Sequence, residues 1–143
     1  MSLIYVDTSV LAKRYLVSPQ SDAVEAMLEE SANRFVVSSL CALELESMVA
    51  RRSREASGKG RDRHRARLRI DDDLRSGFFD IVPLDTSVLI AARLCIAEGV
   101  PLATLDALHL ATALAAGAQV LATDDKQLAR AARATGLKVI SFS

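Results

Sequence analysis

"TLDALHLATALAAGAQVLATDD" (104–125) holds a complete structural sentence: a helix, a stop, a buried strand and a pair of acids. A helix is expected over about Asp106 to Ala116, opened by a first-turn acid that suits the helix dipole. Gly117 follows, where a left-handed residue ends a helix at no steric cost. "AQVLAT" (118–123) is then a short apolar run that lacks the alternation of a half-exposed strand. A run of that kind belongs to a parallel sheet covered on both faces. Asp124 and Asp125 close it, and a second helix begins at Lys126.

The same grammar extends outward in both directions. "SLIYV" (2–6) reads as a strand leading through Asp7 into a helix from about Thr8 to Leu16, and a further helix starts at Ser21. "RFVVS" (34–38) is a second strand, after which Ser38 or Ser39 caps a helix bearing Leu40, Leu43, Leu45, Met48 and Val49. A break is expected around Gly58 and Gly60, then another helix that stops at Gly77. "FFDIVPL" (78–84) is a third strand, placed at an edge because Pro83 cannot donate to a ladder. "LKVISF" (137–142) is a fifth, after a helix that ends at Gly136. Strands alternating with helices predict one α/β domain over 1–143, with a parallel sheet of about five strands flanked by helices.

Composition narrows the function. A chain of 143 residues, half of them hydrophobic, buries a core large enough to fold without disulfides or a structural metal. Cys41 and Cys95 lie far apart in apolar, helix-like context, as reduced thiols of a cytoplasmic protein would. "MSLIYVDTSV" has no basic n-region, and no apolar run approaches the length of a membrane span. Formal net charge is zero, which argues against binding polyanions over the whole surface. The charge is nevertheless segregated. Nine of the 18 basic residues fall within "RRSREASGKGRDRHRARLR" (51–69), opposed there only by Glu55 and Asp62.

The acids at strand–helix junctions carry the chemistry. Functional groups of an open parallel sheet gather at the carboxyl ends of its strands. Asp7 follows the first strand, Glu44 lies early in the helix after the second, Asp106 precedes the fourth strand, and Asp124 and Asp125 follow it. Carboxylates crowded into one site repel, and the simplest compensation is a hard divalent cation, Mg²⁺ or Mn²⁺. Such a cation is the apparatus of phosphodiester hydrolysis. Each acid also has a plainer role: Asp7 and Asp125 as helix caps, Asp106 as a dipole partner, Glu44 as a solvated neighbour of Glu46. "DTSVL" occurs twice, at 7–11 and 85–89, so local sequence alone does not separate Asp7 from Asp85.

Four motifs in order, "YVDTSVLAKRY", "SSLCALELE", "TLDALHLATAL" and "VLATDDKQLARAA", resemble PIN-domain ribonucleases, most of all the VapC-type toxins of toxin–antitoxin pairs. The resemblance implies that Asp7, Glu44 and Asp106 bind the metal, and that a T-x-D pattern selects Asp125, with Asp124 as a further possibility. It assigns supporting roles to Ser9 and Thr123, and makes Asp85 only an N-cap. It implies an Mg²⁺- or Mn²⁺-dependent endoribonuclease in which a metal-activated water leaves a 5′-phosphate and a 3′-hydroxyl. It further implies a homodimer and a VapB-like antitoxin partner, with no membrane association. His109 is expected to be a packed, hydrogen-bonded residue of its helix, and Lys13 and Arg14 either meet phosphate or face solvent. In the basic stretch, Arg61, Arg63, Arg65 and Arg67 are the expected RNA contacts, with antitoxin or subunit docking as the rival use. Two other classes remain open: an inactive PIN-like RNA-binding or assembly module, and a haloacid-dehalogenase-like phosphatase. The latter needs a second Asp two residues after the first, where Ser9 stands.

Overall fold

The computed structural model describes residues 2–55 and 60–143. Five strands form one parallel sheet in the order β3-β2-β1-β4-β5. They are β1 (Leu3–Val6), β2 (Arg34–Ser38), β3 (Asp80–Val82), β4 (Val120–Ala122) and β5 (Lys138–Ile140). The connecting helices among the described residues are α1 (Thr8–Tyr15), α2 (Ser21–Leu28), α3 (Leu40–Glu55), α4 (Gly60–Arg75), α5 (Thr86–Ala97), α6 (Thr104–Ala115) and α7 (Lys126–Ala134).

Strand pleating splits the core in two. Ile4, Val6, Phe35 and Val37 face one side, where Val10, Leu11, Val24, Leu45, Val49 and Ile70 of α1–α4 cover them. Tyr5, Val36 and Leu121 face the other, against Leu110 of α6 and Leu128 of α7. Every central strand is thus buried on both faces, which is why its sequence reads as a continuous apolar run. A third cluster, around Val88, Ala92, Leu108 and Ala111, joins α5 to α6.

The strand order sets the position of the site. The chain leaves β1 towards β2 and β3, then crosses through α5 and α6 to place β4 on the opposite side of β1. The direction of winding therefore reverses between β1 and β4, which opens a crevice at their carboxyl ends. Tyr5 pairs with Leu121 and Val6 with Ala122. The Asp7 backbone N–H then donates to the Ala122 carbonyl at 2.9 Å, so Asp7 and Thr123 emerge side by side at that crevice.

Several boundaries differ from the sequence reading. α6 begins at Thr104, so Asp106 sits inside its first turn and does not open it. β3 keeps only Asp80–Val82 of the expected run and lies at the sheet edge, with Pro83 just past its end. Gly117 and Gly136 adopt φ of 73° and 91° after α6 and α7, the left-handed conformation expected there. Of the two serines before α3, Ser38 Oγ accepts from the Leu40 N–H and Ser39 Oγ from the Leu84 N–H, both at 3.0 Å. Of the expected break, Gly58 lies outside the described residues, and α4 begins at Gly60. Both cysteines are free, and burial pushes the Cys41 thiol up to about 12. Among the described residues no helix is long and apolar enough to cross a membrane.

Candidate functional site

Asp7 occupies the N-cap position of α1 but makes no capping bond. Its Oδ2 instead accepts from the hydroxyls of Ser9 at 2.8 Å and Thr123 at 2.7 Å, and the residue is 5% exposed. Asp85, at the same place in the identical pentapeptide, does cap: its Oδ1 accepts from the Val88 N–H at 3.0 Å. The difference comes from surroundings. Asp7 stands beside β4, whose Thr123 hydroxyl competes for its oxygen, whereas Asp85 is exposed at the start of α5.

Glu44 is anchored in the same one-sided way. Its Oε1 accepts from the Thr8 hydroxyl at 2.8 Å and lies 2.7 Å from His109 Nε2. Burial works to raise its pKa, but the bonds to His109 and Thr8 outweigh that and hold the carboxyl below its usual range. Asp125 serves as the cap of α7 through Oδ1, which accepts from the Leu128 N–H at 2.8 Å. Its own N–H donates to the Thr123 hydroxyl at 3.0 Å, so Thr123 ties Asp7 and Asp125 together.

The three anchored acids share one pattern. Each commits one carboxylate oxygen to the protein; among the described residues, the other oxygen has no hydrogen-bond partner. Asp106 has no hydrogen-bonded oxygen among them at all. Burial, then the charges of Asp125 and Asp7, push its carboxyl up to about 6, with Glu44 adding to the effect. These repulsions bring Asp7, Glu44 and Asp125 to bear on Asp106, with His109 opposing them.

Asp124 turns elsewhere. It is ion-paired with Lys13 and accepts from the Phe142 N–H at 2.7 Å, the Ser143 N–H at 3.1 Å and the Ser141 hydroxyl at 3.1 Å. Burial opposes its charge, but the Lys13 bond and those from Phe142 and Ser141 hold its pKa below the usual range. Its oxygens are occupied by Lys13 and by the segment after β5. Lys13 is ion-paired with Asp124, and Arg14 with Asp73 and Glu25 at 2.7 and 2.9 Å, so neither side chain projects freely into solvent.

His109 is 2% exposed, packed as expected, and bonded to more than its own helix. Nδ1 lies 2.5 Å from the Tyr5 hydroxyl, Nε2 2.7 Å from Glu44, and Asp7 Oδ1 stands 3.5 Å away. Burial disfavours its charge, but the Glu44 bond and the charges of Asp7, Glu44 and Asp106 raise its pKa overall. Tyr5 and Thr8 are the site neighbours that sequence did not single out. Tyr5 reads as one more apolar strand residue, and a Thr after a helix-opening Asp is common. Their roles depend on which strands become adjacent.

Among the described residues, the arginines of the basic stretch divide between two flanks of α4. Arg63 and Arg65 line a cleft of about 310 Å³ with Val17, Val49 and Arg52, between the end of α1, α3 and α4. Arg67 lies on the other flank of α4, ion-paired with Glu46. The side chain of Arg61 lies outside the described residues.

A parallel sheet reversing at β1/β4, with four acids at that reversal, is the plan of a PIN domain. The chain belongs to the PIN domain family, matching it over residues 4–134. Among solved structures it is similar to VapC20 of Mycobacterium tuberculosis, described as a sarcin–ricin loop cleaving toxin. The TM-score is 0.72 at 17% identity, covering 90% of this chain and 94% of that one. It is similar to a chain of VapBC2 from Rickettsia felis bound to a promoter DNA fragment (0.67, 18%, 99% of each chain). A third likeness is to a chain of DNA-bound VapBC from Salmonella typhimurium (0.67, 19%, 100% of each). No curated protein matches the sequence.

The donor set suits a hard cation, since every open donor is a carboxylate oxygen. Among the described residues, no group of three or more His, Cys, Asp or Glu side chains forms a ready-made ligand cage. Mg²⁺ retains several waters and takes only one or two carboxylates directly. The residues present fit a partly hydrated ion better than an all-protein cage.

Proposed function

We propose that this chain is an Mg²⁺- or Mn²⁺-dependent endoribonuclease and the toxin of a toxin–antitoxin pair. The observation that carries the reading is the set of half-committed carboxylates at the β1/β4 reversal, with Asp106 left unbonded among them. Asp7, Glu44, Asp106 and Asp125 would hold the ion through their open oxygens. The ion supplies Lewis-acid activation of water and neutralises charge on the phosphate. The protein supplies position. Ser9 and Thr123 fix Asp7, the α7 cap fixes Asp125, and Thr8 and His109 fix Glu44. Hydrolysis leaves a 5′-phosphate and a 3′-hydroxyl.

The toxin role and the VapB-like antitoxin are supported by the PIN fold and its likeness to VapC20 and VapBC chains, and a homodimer and a cytoplasmic location go with that reading. The whole chain, 1–143, acts as one nuclease domain. Phosphate contact by the basic stretch falls to Arg65, which is exposed at the cleft, more than to Arg67, which Glu46 already holds. An inactive RNA-binding module is disfavoured because all four acids are present, and a dehalogenase-like phosphatase because Ser9 replaces its second Asp.

The test is incubation of the purified chain with a mixed RNA pool and Mn²⁺, with and without EDTA, beside Asp106→Asn. Internal cleavage that EDTA and the substitution both abolish supports the function. RNA binding without any cleavage would favour the inactive module.

A further inference from the structure

Resting on that reading of the acidic rim, the geometry points to His109 as the positioning residue of Glu44, with Tyr5 fixing the direction of its ring. The three side chains form one buried line. Tyr5 on β1 is fully buried, and its hydroxyl lies 2.5 Å from His109 Nδ1. The rings meet edge-on, 5.8 Å apart at 62°. His109 Nε2 then lies 2.7 Å from Glu44 Oε1.

Only one arrangement of protons satisfies this line when the ring is neutral. A phenol keeps its proton at neutral pH, since its ordinary pKa is about 10. If Nδ1 carried the ring proton, the bare Nε2 lone pair would face a carboxylate oxygen at 2.7 Å, acceptor against acceptor. With the proton on Nε2, Tyr5 donates to Nδ1 and Nε2–H donates to Glu44, and every buried polar atom is satisfied. The N–H is aimed at Glu44 and not at Asp7, whose Oδ1 at 3.5 Å is beyond good hydrogen-bond length.

The consequence concerns Glu44 Oε2. Glu44 is on a different helix from the other acids, and its side chain has three rotatable torsions. Thr8 from α1 and His109 from α6 both grip Oε1, which leaves Oε2 as the oxygen presented to the rim. Among the described residues, the side-chain partner of the Tyr5 hydroxyl is the imidazole. The line thus transmits the fixed position of β1 to the most flexible of the four acids.

The test uses the full chain and Mn²⁺ binding followed by electron paramagnetic resonance. Loss of such an orienting bond costs about 10–100-fold in metal affinity. His109→Leu and His109→Asn should lose affinity on that scale. His109→Gln, whose amide nitrogen reaches the place of Nε2, should restore most of it. Tyr5→Phe should weaken binding with no change in the list of acids, and Glu44→Gln is the control. ¹⁵N NMR of the metal-free chain, at a pH where the ring is neutral, reads the tautomer directly and should show the proton on Nε2. If Glu44→Gln loses Mn²⁺ while His109→Leu binds like the parent, the cation site stands and the positioning role is overturned. If the parent itself binds no Mn²⁺, the cation reading falls, and the tautomer decides: a proton on Nδ1 overturns the line, one on Nε2 upholds it. Should His109→Leu not fold, Tyr5→Phe and the tautomer still decide.

Discussion

Thr123, just past β4, donates a 2.7 Å hydrogen bond to Asp7, just past β1, and accepts another from the Asp125 N–H. One fully buried hydroxyl therefore orients two of the four acids. Thr123→Val keeps the shape and removes both bonds, leaving the Asp125 N–H without its acceptor. The expected cost is about 1.5–3 kcal/mol of stability, as for hydrogen bonds to charged groups, with a further 10–100-fold loss of Mn²⁺ affinity. Thr123→Ser should recover most of both. Chemical denaturation and Mn²⁺ titration check the pair of effects; unchanged affinity in Thr123→Val would remove Thr123 from the site.

The two "DTSVL" copies should respond differently to the same change. Asp7→Asn should lower cleavage by roughly 10³-fold, the worth of several kcal/mol of cation-assisted stabilisation. Its metal-free form should be as stable as the parent or more so, because the Asp7 charge is one that repels Asp106. Asp85→Asn should alter neither, since Asn caps about as well as Asp. The reverse pattern in cleavage rates would reverse the assignment.

Asp124 and Asp125 are adjacent and should separate cleanly. Asp125→Asn keeps the α7 cap and loses an open carboxylate oxygen, so activity should fall and stability hold. Asp124→Asn breaks the pair with Lys13 and weakens the clamp on Ser141, Phe142 and Ser143, so stability should fall and activity largely hold. Parallel rate and melting measurements decide; equal activity losses would mean that both acids reach the cation.

Asp106 gives the metal-free protein a distinctive pH dependence. Its folded pKa is about 6, raised by burial and by Asp125 and Asp7 from an ordinary 3.8. Between those values the folded chain binds more protons at this group than the unfolded chain. This contribution to stability is therefore present at low pH and lost as pH rises from about 4 to about 6. Asp106→Asn should melt higher than the parent near neutral pH without metal, and the difference should vanish near pH 4. Divalent cation should erase the advantage at neutral pH. A melting difference independent of pH would show that Asp106 is not strained by its neighbours.

The sheet was legible because buried strands and glycine stops leave local marks: the apolar runs "LIYV", "FVV" and "QVL", and Gly117 and Gly136 after apolar helices. The acids were legible as positions at strand ends. Which oxygen each acid offers was not. That depends on contacts such as Thr123 with Asp7 and His109 with Glu44, 116 and 65 residues apart in sequence. Where each arginine of the basic run points was not legible either. Arg63, Arg65 and Arg67 read as one basic run, yet α4 sends Arg65 to a cleft and Arg67 to Glu46. Asp85 and Asp7 show the same limit, since an identical pentapeptide caps in one place and not in the other.

The most direct measurement is cleavage of an RNA oligonucleotide in ¹⁸O-labelled water with Mn²⁺, with mass spectrometry of the new ends. Hydrolysis assisted by a cation at Asp7, Glu44, Asp106 and Asp125 places one ¹⁸O on a 5′-phosphate opposite a 3′-hydroxyl. No such product should form with EDTA or with Asp7→Asn. Ends carrying a 2′,3′-cyclic phosphate, or cleavage that persists in EDTA and in Asp7→Asn, would contradict it.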